Sequence, residues 1–189
     1  MSMMEPTVTG PVIAVFASDK GPGDPERASI MSQAGTYFAK RGARIVCLAE
    51  NGIIPVPLIT AARTAGGSVE IIADTSINLP PALAGVTMEV LAEKAERLTR
   101  MAQRVEAYVA LPGSLASASA LFGAWASSKA QGRTPPVVML NRHRAYEVMR
   151  GYAADVLSPG LPGYDRAVQF ADTIEDLWAR LMRLVGEGR

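Results

Sequence analysis

The chemistry this chain could do is concentrated between Arg104 and Trp125. A short apolar run, Tyr108 to Leu111, meets Pro112-Gly113. The slim residues Ser114, Leu115, Ala116 and Ser117 then lead into an apolar periodicity around Leu121, Phe122 and Trp125. That order predicts a strand, a tight turn and the start of a helix. The first N–H groups of a helix have no intrahelical acceptor, and the helix dipole adds positive potential there. With no bulky side chain in front of them such amides can hold an anion, so the loop is a candidate phosphate cradle.

Other reactive residue types do not cluster. His143 is the only histidine and stands in Arg142-His143-Arg144 after an apolar run, which reads as a surface position. No grouping of His, Cys, Asp and Glu has the spacing of a metal site, and one exposed histidine does not make a Ser-His-Asp set. Lys20, Lys40, Lys94 and Lys129 fall at loop or helix-surface positions, so none offers the desolvated amine of Schiff-base chemistry. Cys47, the only cysteine, lies inside the apolar run RIVCLA. It excludes an internal disulfide framework and points to a reducing compartment. Trp125 and Trp178 stand at helical core spacing and read as packing residues.

The elements that must position the loop follow from periodicity. Short β-rich apolar runs recur at Val12 to Phe16, Arg44 to Leu48, Ser68 to Ala73, Ala107 to Leu111, Pro136 to Leu140 and Ala167 to Phe170. Helical patterns separate them. Glu26 to Arg41 carries Ile30, Ala34, Tyr37 and Phe38 and stops at Gly42, and Pro57 to Ala65 stops at Gly66-Gly67. Val86 to Arg104 carries Leu91, Ala95, Leu98, Met101 and Val105 on one stripe. Ser117 to Ala130 follows the loop, and Thr173 to Val185 is capped by Asp172 or Thr173. Continuous apolar strands alternating with helices predict an α/β fold: a single doubly wound, mainly parallel sheet with helices on both faces. Ligands of such sheets bind beyond the carboxyl ends of the strands, where strand order reverses. The loops to search are therefore 17–25, 49–57, 74–85, 112–117 and 141–144. Of these, 74–85 is the longest irregular stretch, a surface connection or a lid.

Bulk composition narrows the partners. With 189 residues, 49% hydrophobic and 20% charged, the chain can bury one substantial core, read here as a single Rossmann-like domain over 11–189 after a flexible 1–10. A net charge of +1 with scattered basic residues gives no reason to expect a nucleic-acid partner. MSMMEPTVTG lacks the charged and then apolar pattern of a leader, and no run approaches a membrane span; the expectation is a cytoplasmic protein without a membrane partner.

The order VFASD, ENGIIPVPLITAARTAGG, Glu96-Arg97 with Met101, ALPG and its small-residue loop, PVVMLN and VQFADTIED resembles a known family along nearly the whole chain. It is similar to the LONELY GUY family of nucleoside 5′-monophosphate phosphoribohydrolases, often labelled possible lysine decarboxylases. The related molybdenum cofactor carrier proteins share the same Rossmann-like fold. The family loop reads PGGxGTxxE. Here only Pro112-Gly113 survives intact, Ser117 replaces the threonine hydroxyl, and Ala120 occupies the position of the glutamate that acts on the ribose. Loss of such a general acid–base group removes roughly 10²–10⁴-fold in rate.

By the same resemblance, Arg97 is the remaining candidate catalytic residue and could grip phosphate or ribose. The alternative is a solvated arginine on an amphipathic helix. Ala17, Ser18 and Asp19 would face base or ribose, or form an ordinary Ser/Asp turn. Gly52 is what remains of GGGxxGxMG, or a plain loop glycine, and Glu50 beside it would repel a monophosphate or bind a ribose hydroxyl. The implied partner is a small phosphorylated ligand such as a nucleoside monophosphate, with no cofactor required, in a homodimer or higher homo-oligomer. Three readings stand: a nucleotide- or phosphate-binding protein without the family reaction, an active hydrolase with its carboxylate relocated to Glu50 or Glu96, and a non-catalytic cofactor carrier or assembly protein.

Overall fold

The computed structural model describes residues 10–18, 25–160 and 163–188. Most of the N-terminal stretch expected to be flexible, and Asp19 with Lys20, lie outside the described residues. Seven strands form one sheet: β1 (Val12–Phe16), β2 (Arg44–Ala49), β3 (Ser68–Ala73), β4 (Thr87–Val90), β5 (Ala107–Ala110), β6 (Val137–Leu140) and β7 (Val168–Ala171). Every pairing is parallel and the order is β4-β3-β2-β1-β5-β6-β7. The chain therefore builds outward from β1 in one direction, then returns to the other side of β1 with β5. The carboxyl ends of β1 and β5 flank the switch in strand order, where a crevice opens.

Both sheet faces are covered, which is why the strands read as unbroken apolar runs. On one face Ile13, Val15, Ile45 and Ile71 pack with Ile30 and Phe38 of α1 (Pro25–Lys40), Leu58 and Ile59 of α2 (Val56–Thr64) and Leu177 and Leu181 of α8 (Ile174–Glu187). On the other, Ala14, Phe16, Val46, Ile72 and Tyr108 meet Met101 of α3 (Lys94–Arg104) and Leu121, Ala124 and Trp125 of α4 (Leu115–Ala130). Thr173 caps α8 by accepting a hydrogen bond from the Asp176 amide. Trp125 is buried and Trp178 packs against the core, stacked on Phe38 with ring centroids 5.8 Å apart.

One expected helix divides. Of the stretch 86–104, Thr87–Val90 is the edge strand β4, paired to β3 from Glu70↔Thr87 to Ala73↔Val90, and only Lys94–Arg104 is helical. A helical stripe in the sequence does not register that β3 offers an unpaired edge. Glu89 of β4 then pairs with Arg100 (2.6 Å) and Arg104 of α3, and Arg104 also pairs with Glu70 of β3. Ala95, assigned to the apolar stripe, is exposed, and Arg97 takes an inward position instead. The region after β6 also holds short pieces that periodicity does not signal. These are a 3-10 turn (Arg142–Arg144), α5 (Glu147–Tyr152), a π turn (Ala153–Leu157), α6 (Ser158–Gly160) and α7 (Tyr164–Ala167). The stretch 74–85 is a connection anchored by buried Ile77 and Leu83. Among the described residues no helix is long and apolar enough to cross a membrane.

Candidate functional site

The Pro112-Gly113 loop is built as a helix cap. Ser114 is the N-cap of α4, in extended backbone (φ −102°, ψ 168°). Its Oγ accepts from the Ser117 amide (3.2 Å), and Ser117 Oγ accepts from the Ser114 amide (3.0 Å), a reciprocal capping box with serine at both ends. Ser18, at the exit of β1, donates its hydroxyl to Ser114 Oγ (2.9 Å) and so ties the two sides of the switch point together. Gly113 is needed for this closeness: a Cβ there would stand 2.5 Å from Ser117 Oγ and 3.4 Å from the Ser18 nitrogen. The cap consumes the amides of Ser114 and Ser117. Those of Leu115 and Ala116, the first two of α4, have no acceptor among the described residues.

Beside this cap lies a small cleft, about 70 Å³ in volume and open to solvent, lined by residues from the exits of β1 and β2 and the start of α4. Its walls hold Ala17, Ser18, Ser114, Ala116 and Ser117, all singled out in the sequence, and Ala120, buried at 3% exposure, at its apolar end with Phe16 and Leu48. Pro112, Gly113, Leu115 and Gly52 shape the loops without lining the cleft, and the Leu115 side chain is 83% exposed.

The third wall comes from the turn after β2. Asn51 (φ 55°) and Gly52 (φ 75°) are both left-handed, the conformation of a tight Asn-Gly turn, and Glu50 and Ile53 pair across it. The Asn51 amide donates to Asp74 Oδ2 (2.9 Å) and the Gly52 amide to Ser76 Oγ (2.8 Å), so the end of β3 fixes the turn. The Ser76 hydroxyl, which donates to Asp74 Oδ1, and then the Asn51 amide hold the Asp74 carboxyl below its ordinary value of 3.8. Asn51-Gly52 is a recognisable turn signal that the family comparison of glycines passes over; Asn51 and Ile53 line the cleft.

Arg97 is not a solvated helix arginine. It is 5% exposed, donates from Nε to Glu50 Oε1 (2.9 Å), and from Nη1 to the carbonyls of Leu91 and Ala92 (2.7 Å each). The guanidinium thus joins the end of β4 to the Glu50 carboxylate, whose side chain is 16% exposed and lines the cleft. No lysine or arginine is among the described lining residues, so what the cleft offers an anion is the Ala116 amide and the Ser114 hydroxyl, since the Ser18 and Ser117 hydroxyls both donate to Ser114. His143 is exposed and 2.7 Å from Glu26 Oε1. Lys40, Lys94 and Lys129 are exposed, and no group of three or more potential metal ligands occurs among the described residues. Cys47 is fully buried, which pushes its thiol up to about 12.

Sheet order, crossover direction and the crevice at the β1/β5 exit define a Rossmann-like α/β protein. No protein-family model matches the chain, and no curated protein does. Solved structures do. The chain superposes on the protein TM1055 with a TM-score of 0.66 at 21% identity, covering 92% of this chain and 99% of that one. It superposes on the molybdenum cofactor carrier protein of Chlamydomonas reinhardtii with a TM-score of 0.67 at 18% identity, covering 94% and 98%. For the molybdenum cofactor binding protein of the phototrophic bacterium Rippkaea orientalis the values are 0.61 and 17%, covering 96% and 98%. Identities this low establish a shared fold.

Proposed function

We propose that this chain is a binding protein for a small phosphorylated ligand, such as a nucleoside monophosphate, and lacks phosphoribohydrolase activity. The observation that carries the reading is the switch-point cleft: Ala116, whose amide has no acceptor among the described residues, lines it at the start of a 16-residue helix, and Ala120 lines it where the family resemblance calls for a glutamate. The anion would sit on the Ala116 amide at the start of the helix, with the Ser114 hydroxyl nearby, and the rest of the ligand against Phe16, Leu48 and Ile53. Glu50 is a poor replacement for the missing carboxylate, because Arg97 already holds one of its oxygens. Likeness in fold to molybdenum cofactor carrier proteins fits the alternative of a non-catalytic carrier with a cofactor as cargo. By family resemblance the protein would work as a homodimer in the cytoplasm.

Calorimetric titration with AMP tests the binding, with inorganic phosphate as competitor. Saturable binding displaced by phosphate is expected, with no adenine released above the spontaneous rate. Absence of binding up to millimolar AMP removes the reading. Adenine release abolished by Glu50→Gln would replace it with the relocated-carboxylate enzyme. Sedimentation at micromolar concentration tests the dimer.

A further inference from the structure

The turn after β2 carries a reactive dipeptide under restraint. Asn51-Gly52 is the one Asn-Gly pair in the chain, and Asn51 lines the cleft. Asparagine before glycine is the pair most prone to intramolecular imide formation, because glycine puts no side chain in the way of the attacking backbone nitrogen. Gly52 is as unhindered in the folded protein: both residues are exposed, and even an added Cβ at Gly52 would meet nothing within 4 Å. The Asn51 carboxamide makes no hydrogen bond among the described residues.

What the tertiary structure adds is the restraint. Glu50 and Ile53 pair across the turn, with the Ile53 amide donating to the Glu50 carbonyl (2.9 Å). The Asn51 amide is held by Asp74 Oδ2 (2.9 Å), and the Gly52 amide, whose nitrogen would attack, donates to Ser76 Oγ (2.8 Å). Ser76 is itself anchored, since its hydroxyl and its amide both donate to Asp74 Oδ1. Ring closure requires the Gly52 nitrogen to lose its proton and to turn toward Asn51 Cγ, in a five-membered ring with the Asn51 carbonyl carbon, Cα and Cβ. A nitrogen that has done so no longer donates to Ser76, so the hydrogen bond opposes the reaction.

We infer that Asn51 is a site of spontaneous deamidation in the wall of the cleft, kept intact in the native fold by the Ser76 hydroxyl. When the turn lets go of the segment after β3, the Gly52 nitrogen bonds to Asn51 Cγ, and the carboxamide nitrogen leaves with the displaced proton as ammonia. Water, to which the turn is exposed, then opens the imide at either carbonyl and leaves an aspartate or an isoaspartate. No further reactant is needed. Either product sets a new carboxylate beside Glu50 in the cleft wall, and isoaspartate also lengthens the backbone of a turn whose two central residues are both left-handed. The modification therefore alters the cleft irreversibly, whatever ligand the cleft takes.

Incubation at pH 8 followed by peptide mapping with mass spectrometry reads the acid-for-amide change at Asn51. Urea-unfolded parent should convert fastest and native parent at least about tenfold more slowly, with native Ser76→Ala about tenfold faster than native parent, the worth of one hydrogen bond. Ser76→Thr, which keeps the hydroxyl, should stay as slow as the parent. So should Val185→Ala, which weakens the core at α8 without touching the turn. A native parent that converts as fast as the unfolded chain, or a Ser76→Ala variant no faster than the parent, overturns the inference. A Val185→Ala rate that rises as far as that of Ser76→Ala does so too, because unfolding of the whole chain would then set the pace. No conversion in the unfolded parent removes the site altogether. AMP binding plays no part in these measurements, so they and the phosphate-ligand reading stand or fall separately.

Discussion

Replacing Arg97 with alanine should destabilise the protein by far more than a surface arginine would. The side chain makes three hydrogen bonds, to Glu50 Oε1 at 2.9 Å and to the Leu91 and Ala92 carbonyls at 2.7 Å. Truncation strands all three acceptors. Removing one partner of a buried ion pair costs about 3–5 kcal/mol, most of it the penalty of the charge left behind. Glu50 opens partly onto the cleft, with 16% of its side chain exposed, so water recovers some of that cost and we expect about 2–4 kcal/mol. At about 2–4 °C per kcal/mol for a chain of this length, the melting temperature should fall by about 4–16 °C. Glu50→Gln keeps an acceptor for Nε and should cost only about 1 kcal/mol. Urea titrations of both single variants and of Arg97→Met/Glu50→Gln form a double-mutant cycle, with a coupling of at least about 1 kcal/mol expected. A loss below about 1 kcal/mol for Arg97→Ala, or strictly additive single effects, refutes the argument. Arg97 would then be free to grip a ligand, as the family resemblance suggests.

Gly113→Ala should force Ser117 out of the capping box, since the new Cβ lies 2.5 Å from its Oγ. About 1–3 kcal/mol of stability should go, together with AMP binding, whereas Ser117→Ala, which loses the bond without crowding, should cost about 1 kcal/mol by chemical denaturation. Burial pushes the Tyr146 hydroxyl up to about 12, against the opposing charge of Arg27. A folded value above the unfolded one of about 10 means a contribution fully present below pH 10 and lost as pH rises through 12. Stability measured from pH 9 to 12 should therefore fall more in the parent than in Tyr146→Phe; parallel curves would contradict this. Asp74 runs the opposite way, its contribution present above pH 4 and lost as pH falls through its lowered folded value, so Asp74→Asn should flatten the acid limb of a stability profile. Cys47 should resist a thiol reagent at pH 8 until denaturant is added, because it is fully buried with its thiol near 12; rapid labelling of native protein would show that β2 opens.

The sequence by itself determined the architecture and the place to look. Apolar runs long enough for strands, spaced by helical patterns, leave a two-faced parallel sheet as the arrangement that buries them all, and the Pro112-Gly113 loop marks a helix start whatever surrounds it. Periodicity is a local property, and these features are local. The tertiary structure alone decided β4, because a strand beside an open sheet edge gains hydrogen bonds that no helical stripe anticipates. It decided Arg97 as well: identity and spacing fit a ligand-gripping arginine or a solvated one, and only the approach of Glu50 from β2, 47 residues away in sequence, makes it a buried tie. The same holds for the turn after β2, where Asn51-Gly52 looks like an ordinary turn until Asp74 and Ser76 are seen to hold its amides. Contacts between distant segments set partners, burial and backbone strain, and those quantities separate a residue that serves the fold from one that serves a ligand.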